Sequence, residues 1–212
     1  MSTKLDIFSD PVCPWCYIGK ARLDRALEQR PDHPFVIEWH PFQLNPDMPR
    51  EGMDRREYLQ AKFGAPEDVV RVLLPMQQAC TELGLPLALD RIQRQPSTLD
   101  AHRLIHWAGL EGRQSAVVNA LFRANFVDGR NIGESETLAD IAESAGLDRA
   151  MIARLLDSDA DVEEIRSRDA DIRARGLQGV PGFILGRQYV LTGAQPVETW
   201  LDIIDQIAAA SA

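Results

Sequence analysis

The chain has 212 residues, 45% of them hydrophobic and 26% charged, with 14 glycines and 13 prolines. That composition excludes a disordered, collagen-like or low-complexity chain, and a protein of this length buries about 70% of its unfolded surface, enough for a real core. Lys and Arg total 23 against 32 Asp and Glu, a net charge of −9; no nucleic-acid and no membrane-surface partner is expected of so acidic a chain.

The first residues carry neither the apolar segment nor the small-residue cleavage site of a signal peptide, and no window approaches the roughly 18 apolar residues of a membrane span. A cytoplasmic location is therefore expected. There, close cysteines point to redox chemistry or metal binding rather than to a permanent bridge. The chain has three cysteines, and two of them, Cys13 and Cys16, lie three positions apart.

Residues 4–9 form a short apolar run with Leu5, Ile7 and Phe8, ended by Asp10-Pro11, and read as a buried strand. From 15 to 29, Ile18, Ala21, Leu23, Ala26 and Leu27 recur at helical spacing, with Pro14 suited to the first turn. Pro31 and Pro34 close that helix. Residues 35–40, β-branched and aromatic, predict a second strand, and strand, helix, strand makes a right-handed βαβ unit.

Beyond the turn-rich stretch 45–49 the pattern is helical, with almost no strand signal. Helices are predicted over 67–83, where Pro75 is expected to introduce a kink, from a start at Ser97 and Asp100 into Leu104 and Trp107, and over 114–126, 136–145, 149–157 and 159–175, the last stopped by Gly176. Strand character returns at 182–185 and 189–191 around a turn at 186–188, predicting a hairpin. An amphipathic helix closes the chain over 196–209. The fold class is α/β, with residues 1–45 and 155–212 in one domain and 46–154 as a large all-helical insertion domain.

Cys13-Pro14-Trp15-Cys16 stands where a buried strand ends and a helix begins. A helix N-terminus presents unpaired N–H groups and the positive end of the macrodipole, which favour a thiolate, and the thiolate is the nucleophile in disulfide exchange. Cys13 is thus the expected nucleophile. Cys16, one turn further in, is expected to be more buried and to resolve a mixed disulfide intramolecularly. A zinc site from Cys13, Cys16, His102 and His106 supplies the four ligands such a site needs, but helical histidines are more often hydrogen-bonded within a core, and no metal is expected. Asp10, three residues upstream, is placed either to influence proton movement at the pair or only to turn the strand end. Trp15 offers a flat apolar surface beside Cys13 or simply packs. It brings no imidazole to support the thiolate, so a less oxidising pair is expected than with histidine there. Cys80 falls in an apolar helical pattern and is expected to be buried and inert. Arg50, Arg55, Arg56 and Lys62 read as a solvated basic face.

Gly179-Val180-Pro181-Gly182 immediately precedes a strand, where a proline has no ladder hydrogen bond to donate and X-Pro takes cis at modest cost. With Phe8-Ser9-Asp10-Pro11-Val12-Cys13-Pro14-Trp15-Cys16, the helical middle and this segment, the chain resembles the thioredoxin superfamily over nearly its whole length. Within it, the resemblance is to DsbA-like oxidoreductases of the FrnE type. That resemblance implies a thioredoxin-like fold with a helical insertion, a cis Pro181 facing the two sulfurs, and a Val180 backbone that pairs with an extended substrate. Some FrnE-type proteins carry a second cysteine pair near the C-terminus; here no cysteine follows Cys80.

The sequence is similar over the same length to 2-hydroxychromene-2-carboxylate isomerases and kappa-class glutathione transferases, which have serine at the Cys13 position and activate glutathione. Thiol–disulfide oxidoreduction is the leading expectation. A glutathione-dependent isomerase or transferase is the first alternative and a non-catalytic thiol- or peptide-binding protein the second. The substrate-binding candidates are Pro14, Trp15, Val180, Asp10 and Gln195, the last where those relatives hold the glutamyl group of glutathione, or else a capping residue of the final helix. No bound cofactor is expected. Glutathione is a candidate thiol co-substrate, disulfide- or thiol-containing proteins or small molecules are the candidate partners, and a homodimer stays open.

Overall fold

The computed structural model describes residues 2–210. β1 (Thr3–Ser9) leads into α1 (Pro14–Gln29), and β2 (Phe35–Pro41) returns parallel to β1, pairing Thr3 with Phe35 through to Ser9 with Pro41. The predicted hairpin is present as β5 (Gly182–Leu185) and β6 (Tyr189–Thr192), and β5 runs antiparallel to β1. The sheet order is β2-β1-β5-β6. Alternation along the strands divides their side chains between two faces. Leu5, Ile7, Phe35, Trp39, Phe183 and Leu185 share one buried cluster with Leu23 of α1 and with Trp200 of α9 (Val197–Ala210), whereas Phe8 belongs to a second cluster with Phe42, Ile172 and Leu177.

Between β2 and β5 lie α2 (Arg55–Phe63), α3 (Pro66–Glu82), α4 (Leu99–Leu110), α5 (Gln114–Phe126), α6 (Ser135–Ser144), α7 (Arg149–Leu156) and α8 (Val162–Ala174). The sheet cluster continues without a break into this block through Leu104, Val117, Leu121, Phe122, Leu138 and Ile152. The thioredoxin-like α/β unit and its helical segment thus share one continuous hydrophobic cluster.

Several local expectations are corrected. A two-residue ladder, β3 (Met53–Asp54) with β4 (Arg94–Gln95), pins the ends of the α2–α3 segment, where no strand is expected from the sequence. α2 itself is also unanticipated, although Asp54 accepts from the backbone N–H groups of Arg56 and Glu57 as an N-cap. The cap position of α4 is Thr98, not Ser97, and Asp100 is engaged by Arg103. α8 begins at Val162 rather than 159 because Asp161 adopts a left-handed backbone (φ 59°), and its carboxylate accepts the Trp107 indole N–H at 2.7 Å. Arg55 and Arg50 are not simply solvated: Arg55 is half-buried and donates to the Gln95 side chain, and Arg50 donates to the Leu156 carbonyl at 3.1 Å. Among the described residues, no helix is long and apolar enough to cross a membrane.

Candidate active site

Cys13 is the N-cap of α1, with extended backbone angles (φ −87°, ψ 115°). Its carbonyl accepts the N–H groups of Cys16 at 3.1 Å and Tyr17 at 3.2 Å, opening the helix, while Pro14 takes a first-turn position where no N–H is needed. The Cys13 side chain makes no capping bond. Its Sγ instead points at the Val180 carbonyl oxygen, 3.7 Å away. The Val180-Pro181 peptide is cis. Gly19, on the next turn of α1, permits this approach: a Cβ there would meet the Pro181 ring at 3.1 Å and the Ala194 backbone at 3.4 Å.

Cys13, Cys16 and Cys80 are all free thiols. Cys16 is the more buried of the pair, at 2% exposure against 4% for Cys13. The margin is small, so the nucleophile candidate presents only a narrow facet. Burial pushes the Cys16 thiol well above its ordinary range, and its contact with Cys13 pushes it further; the Asp10 backbone and the Ser9 hydroxyl act weakly in the opposite sense. Cys80 is buried among Ile18, Met76 and Ala79, and desolvation raises it to about 11.

Asp10 is fully buried, and its backbone contacts Cys16. Its Oδ2 accepts the Leu44 N–H at 2.7 Å and its Oδ1 the Val12 N–H at 3.4 Å, and the Thr98 side chain also hydrogen-bonds to it. Burial nevertheless pushes this carboxyl up to about 7, with the charge of Asp169 on α8 adding to the effect. Asp169 is itself held by Arg173 and by the Gln43 N–H.

Trp15 is half-buried and packs against two core clusters, serving the scaffold at least as much as the surface. The Gln195 amide donates to the Thr192 carbonyl at 2.6 Å, closing the turn after β6. The four-ligand zinc set does not assemble. His106 Nδ1 faces the Arg168 guanidinium at 3.4 Å, and His102 Nε2 lies 3.8 Å from Asp10 Oδ1 with no hydrogen-bond partner. Among the described residues, the group with metal-ligating atoms in mutual reach is Asp6, Glu38 and His40 on the sheet, away from the thiols. There the Lys4 ammonium already bridges Asp6 at 2.9 Å and Glu38 at 2.8 Å.

The residues that spacing alone does not reveal are Thr98, His102 and Asp169, which converge on Asp10 from α4 and α8. Thr98 and His102 are four apart on one helix face, which is the one signal the sequence offers for them.

Residues 4–205 match the DSBA-like thioredoxin domain family. Among solved structures, the chain is similar to a probable DsbA oxidoreductase, SCO1869 from Streptomyces coelicolor, at 32% identity and a TM-score of 0.85 over 96% of this chain and 89% of that one. It shares its fold with a 2-hydroxychromene-2-carboxylate isomerase, at 18% identity and a TM-score of 0.75 over 98% of this chain and 97% of that one. The same holds for the cytosolic disulfide reductase DsbM from Pseudomonas aeruginosa with GSH, at 21% identity and a TM-score of 0.69 over 97% and 99%. With a family match spanning 4–205 and a thiol pair at the start of α1, this chain belongs to the DSBA-like thioredoxin domain family.

Proposed function

We propose that the protein is a thiol–disulfide oxidoreductase in which Cys13 is the nucleophile and Cys16 the resolving thiol. The observation that carries this reading is the uncapped Cys13 side chain, free as a thiol at the start of α1 and aimed at the Val180 carbonyl. In the reductive direction, the Cys13 thiolate attacks one sulfur of a substrate disulfide. That S–S bond breaks, and the departing sulfur takes up a proton. Cys16 then loses its proton and attacks Cys13 Sγ, releasing the second substrate thiol and leaving a Cys13–Cys16 disulfide. The substrate gains two electrons and the protein loses two. Two equivalents of a thiol such as glutathione restore the dithiol and leave as the glutathione disulfide.

Cys16 is deeply buried and raised, so it needs a base. Asp10 is the buried carboxyl whose backbone contacts Cys16, and held up to about 7 it can accept that proton near neutral pH. The Val180 backbone, Pro14 and the outer face of Trp15 bind an extended thiol- or disulfide-bearing substrate alongside Pro181. DsbM, whose name gives a cytosolic disulfide reductase and whose structure holds GSH, supports glutathione as the co-substrate and a cytoplasmic setting. The isomerase alternative has a matching fold but requires Cys13 to be secondary.

Equilibration in glutathione redox buffers, followed by thiol counting and mass spectrometry, tests the proposal. A reversible Cys13–Cys16 disulfide is expected, and Cys13→Ser should lose insulin-disulfide reduction. Full activity in Cys13→Ser would overturn the assignment, and retained glutathione-dependent isomerisation in that variant would establish the isomerase instead.

A further inference from the structure

The Asp10 carboxyl is addressed unevenly. Oδ2 has a short bond from the Leu44 N–H, 2.7 Å, whereas the Val12 N–H reaches Oδ1 at a long 3.4 Å, and the Thr98 side chain adds a bond to the carboxyl. His102 Nε2 also faces Oδ1, at 3.8 Å, and is a buried atom with no partner of its own. An unpaired buried polar group is costly, and the unpartnered His102 nitrogen faces the oxygen whose backbone bond is long. A shift of roughly 1 Å brings them to hydrogen-bond distance.

The structure therefore points to a proton relay, and we propose His102 as the positioning residue for it: Nε2 receives the O–H of protonated Asp10 and so holds, on Oδ1, the proton that Cys16 releases. The step is balanced. The Cys16 S–H bond breaks, the Asp10 O–H bond forms, and the imidazole stays neutral, changing only its hydrogen bond. When the pair is reduced again, the proton returns to Cys16.

The surrounding groups are consistent with this. From α4, Thr98 bonds to the same carboxyl, so two residues one turn apart bring the helical segment onto a carboxyl of the thioredoxin-like unit. From α8, the Asp169 charge, held by Arg173, opposes ionisation of Asp10. Cys16 touches the Asp10 backbone, and Ser9 and Cys13 in turn touch Cys16. The neighbouring Arg103 cation is committed to Asp100 and to three backbone carbonyls and is not turned to Asp10. Burial pushes His102 down to about 3, so it has no positive charge with which to stabilise an Asp10 carboxylate. It acts as a neutral acceptor.

The proposal rests on the redox reading for its purpose but not for its test. In the full chain, reduced and labelled with 15N-histidine and 13C-aspartate, the His102 Nε2 and Asp10 Cγ resonances should shift together between pH 5 and 9 with one midpoint, the imidazole remaining neutral. A titrating Asp10 beside a flat His102 resonance, or a His102 that takes up its own proton in that range, would overturn it. His102→Leu should lower the Asp10 midpoint by at least one pH unit, a tenfold change in proton affinity, and His102→Gln should restore part of the shift. An unchanged midpoint in His102→Leu also overturns the proposal. If that variant does not fold, the wild-type titration decides. A shared midpoint in a protein that forms no Cys13–Cys16 disulfide would refute the redox reading and leave standing only the hydrogen bond from protonated Asp10 to His102.

Discussion

The Cys13 sulfur and the Val180 carbonyl oxygen lie 3.7 Å apart, joined across 167 positions of chain. The helix start at Cys13 and the segment before β5 therefore define one edge of the candidate site, and a substrate sulfur must approach between them. With Cys13 only 4% exposed, a small thiol has easier access than a folded protein. Cys16→Ser leaves that approach intact and removes the resolving thiol. Incubated with glutathione disulfide, Cys16→Ser should gain the mass of one glutathione on Cys13 and keep it, whereas the wild type should clear the adduct. An adduct on Cys80, or none, would contradict the assigned roles.

If Asp10 takes the Cys16 proton, it must be ionised to do so, and its ionised fraction rises through about 7. Release of the second thiol from a preformed Cys13 mixed disulfide should therefore accelerate between pH 6 and 8. Asp10→Asn should flatten this profile and slow the step by about 10² or more, the usual scale of general-base catalysis. Rapid-mixing measurement of thiol release checks it; an Asp10→Asn profile with the wild-type inflection would remove Asp10 from the mechanism.

Stability gives a second view of the Asp10–His102 pair. On folding, Asp10 rises from 3.8 to about 7, while His102 falls from 6.5 to about 3. Between pH 4 and 6 the unfolded chain carries one proton, on histidine, and the folded chain also carries one, on aspartic acid. Equal proton counts mean that the pair adds no pH slope to wild-type stability. In Asp10→Asn only His102 remains. The unfolded state then binds the extra proton, and stability rises with pH up to 6.5 and is lost as pH falls. In His102→Gln only the raised Asp10 remains, so stability is highest at low pH and falls as pH rises from 3.8 towards that variant's Asp10 midpoint. Each slope is about 1.4 kcal/mol per pH unit relative to wild type. Urea unfolding of the three proteins from pH 4 to 6 measures them, and parallel curves would show that the two groups do not titrate as assigned.

The parts of the fold legible in the sequence are those where a period is long enough to register. β1, α1, β2, the β5–β6 hairpin and α9 each carry several apolar residues at one spacing, and their bounds fall within a residue or two of the pattern. α2 escapes because Tyr58 is its one buried residue, although Asp54 followed by Glu57 is a capping signature that would have marked its start. The β3–β4 ladder is two residues long and has no period at all. In the site, Cys13 and Cys16 announce themselves through spacing, and Val180 through its place before Pro181. His102 does not, because its meaning depends on Asp10, 92 positions earlier, and on an unsatisfied nitrogen that only burial creates. Reading His102 with His106 as one i, i+4 pair is natural in sequence; the fold instead turns one towards Asp10 and the other towards Arg168.

Arg103, immediately after His102, holds the junction at which the helical segment turns back towards the sheet. It is 1% exposed. Its Nε donates to the Ala160 carbonyl, its Nη2 to those of Leu155 and Ser158, each at 2.7 Å, and its Nη1 to Asp100 at 2.6 Å. The guanidinium also lies 4.9 Å from the Trp107 ring centroid. One side chain thus ties together carbonyls from the end of α7 and the following loop before α8 begins. Arg103→Leu takes the closest cation from the Asp100 carboxylate and a donor from each of three carbonyls, and removal of one partner from a buried ion pair costs about 3–5 kcal/mol. For a chain of this size that is a loss of about 6–20 °C in Tm. Arg103→Lys keeps the charge near Asp100 but has no planar fork to reach three carbonyls, so it should fall between leucine and the wild type. Calorimetry on the two variants tests this order, and a lysine variant as stable as wild type would show that charge alone, not the fork of hydrogen bonds, secures the junction.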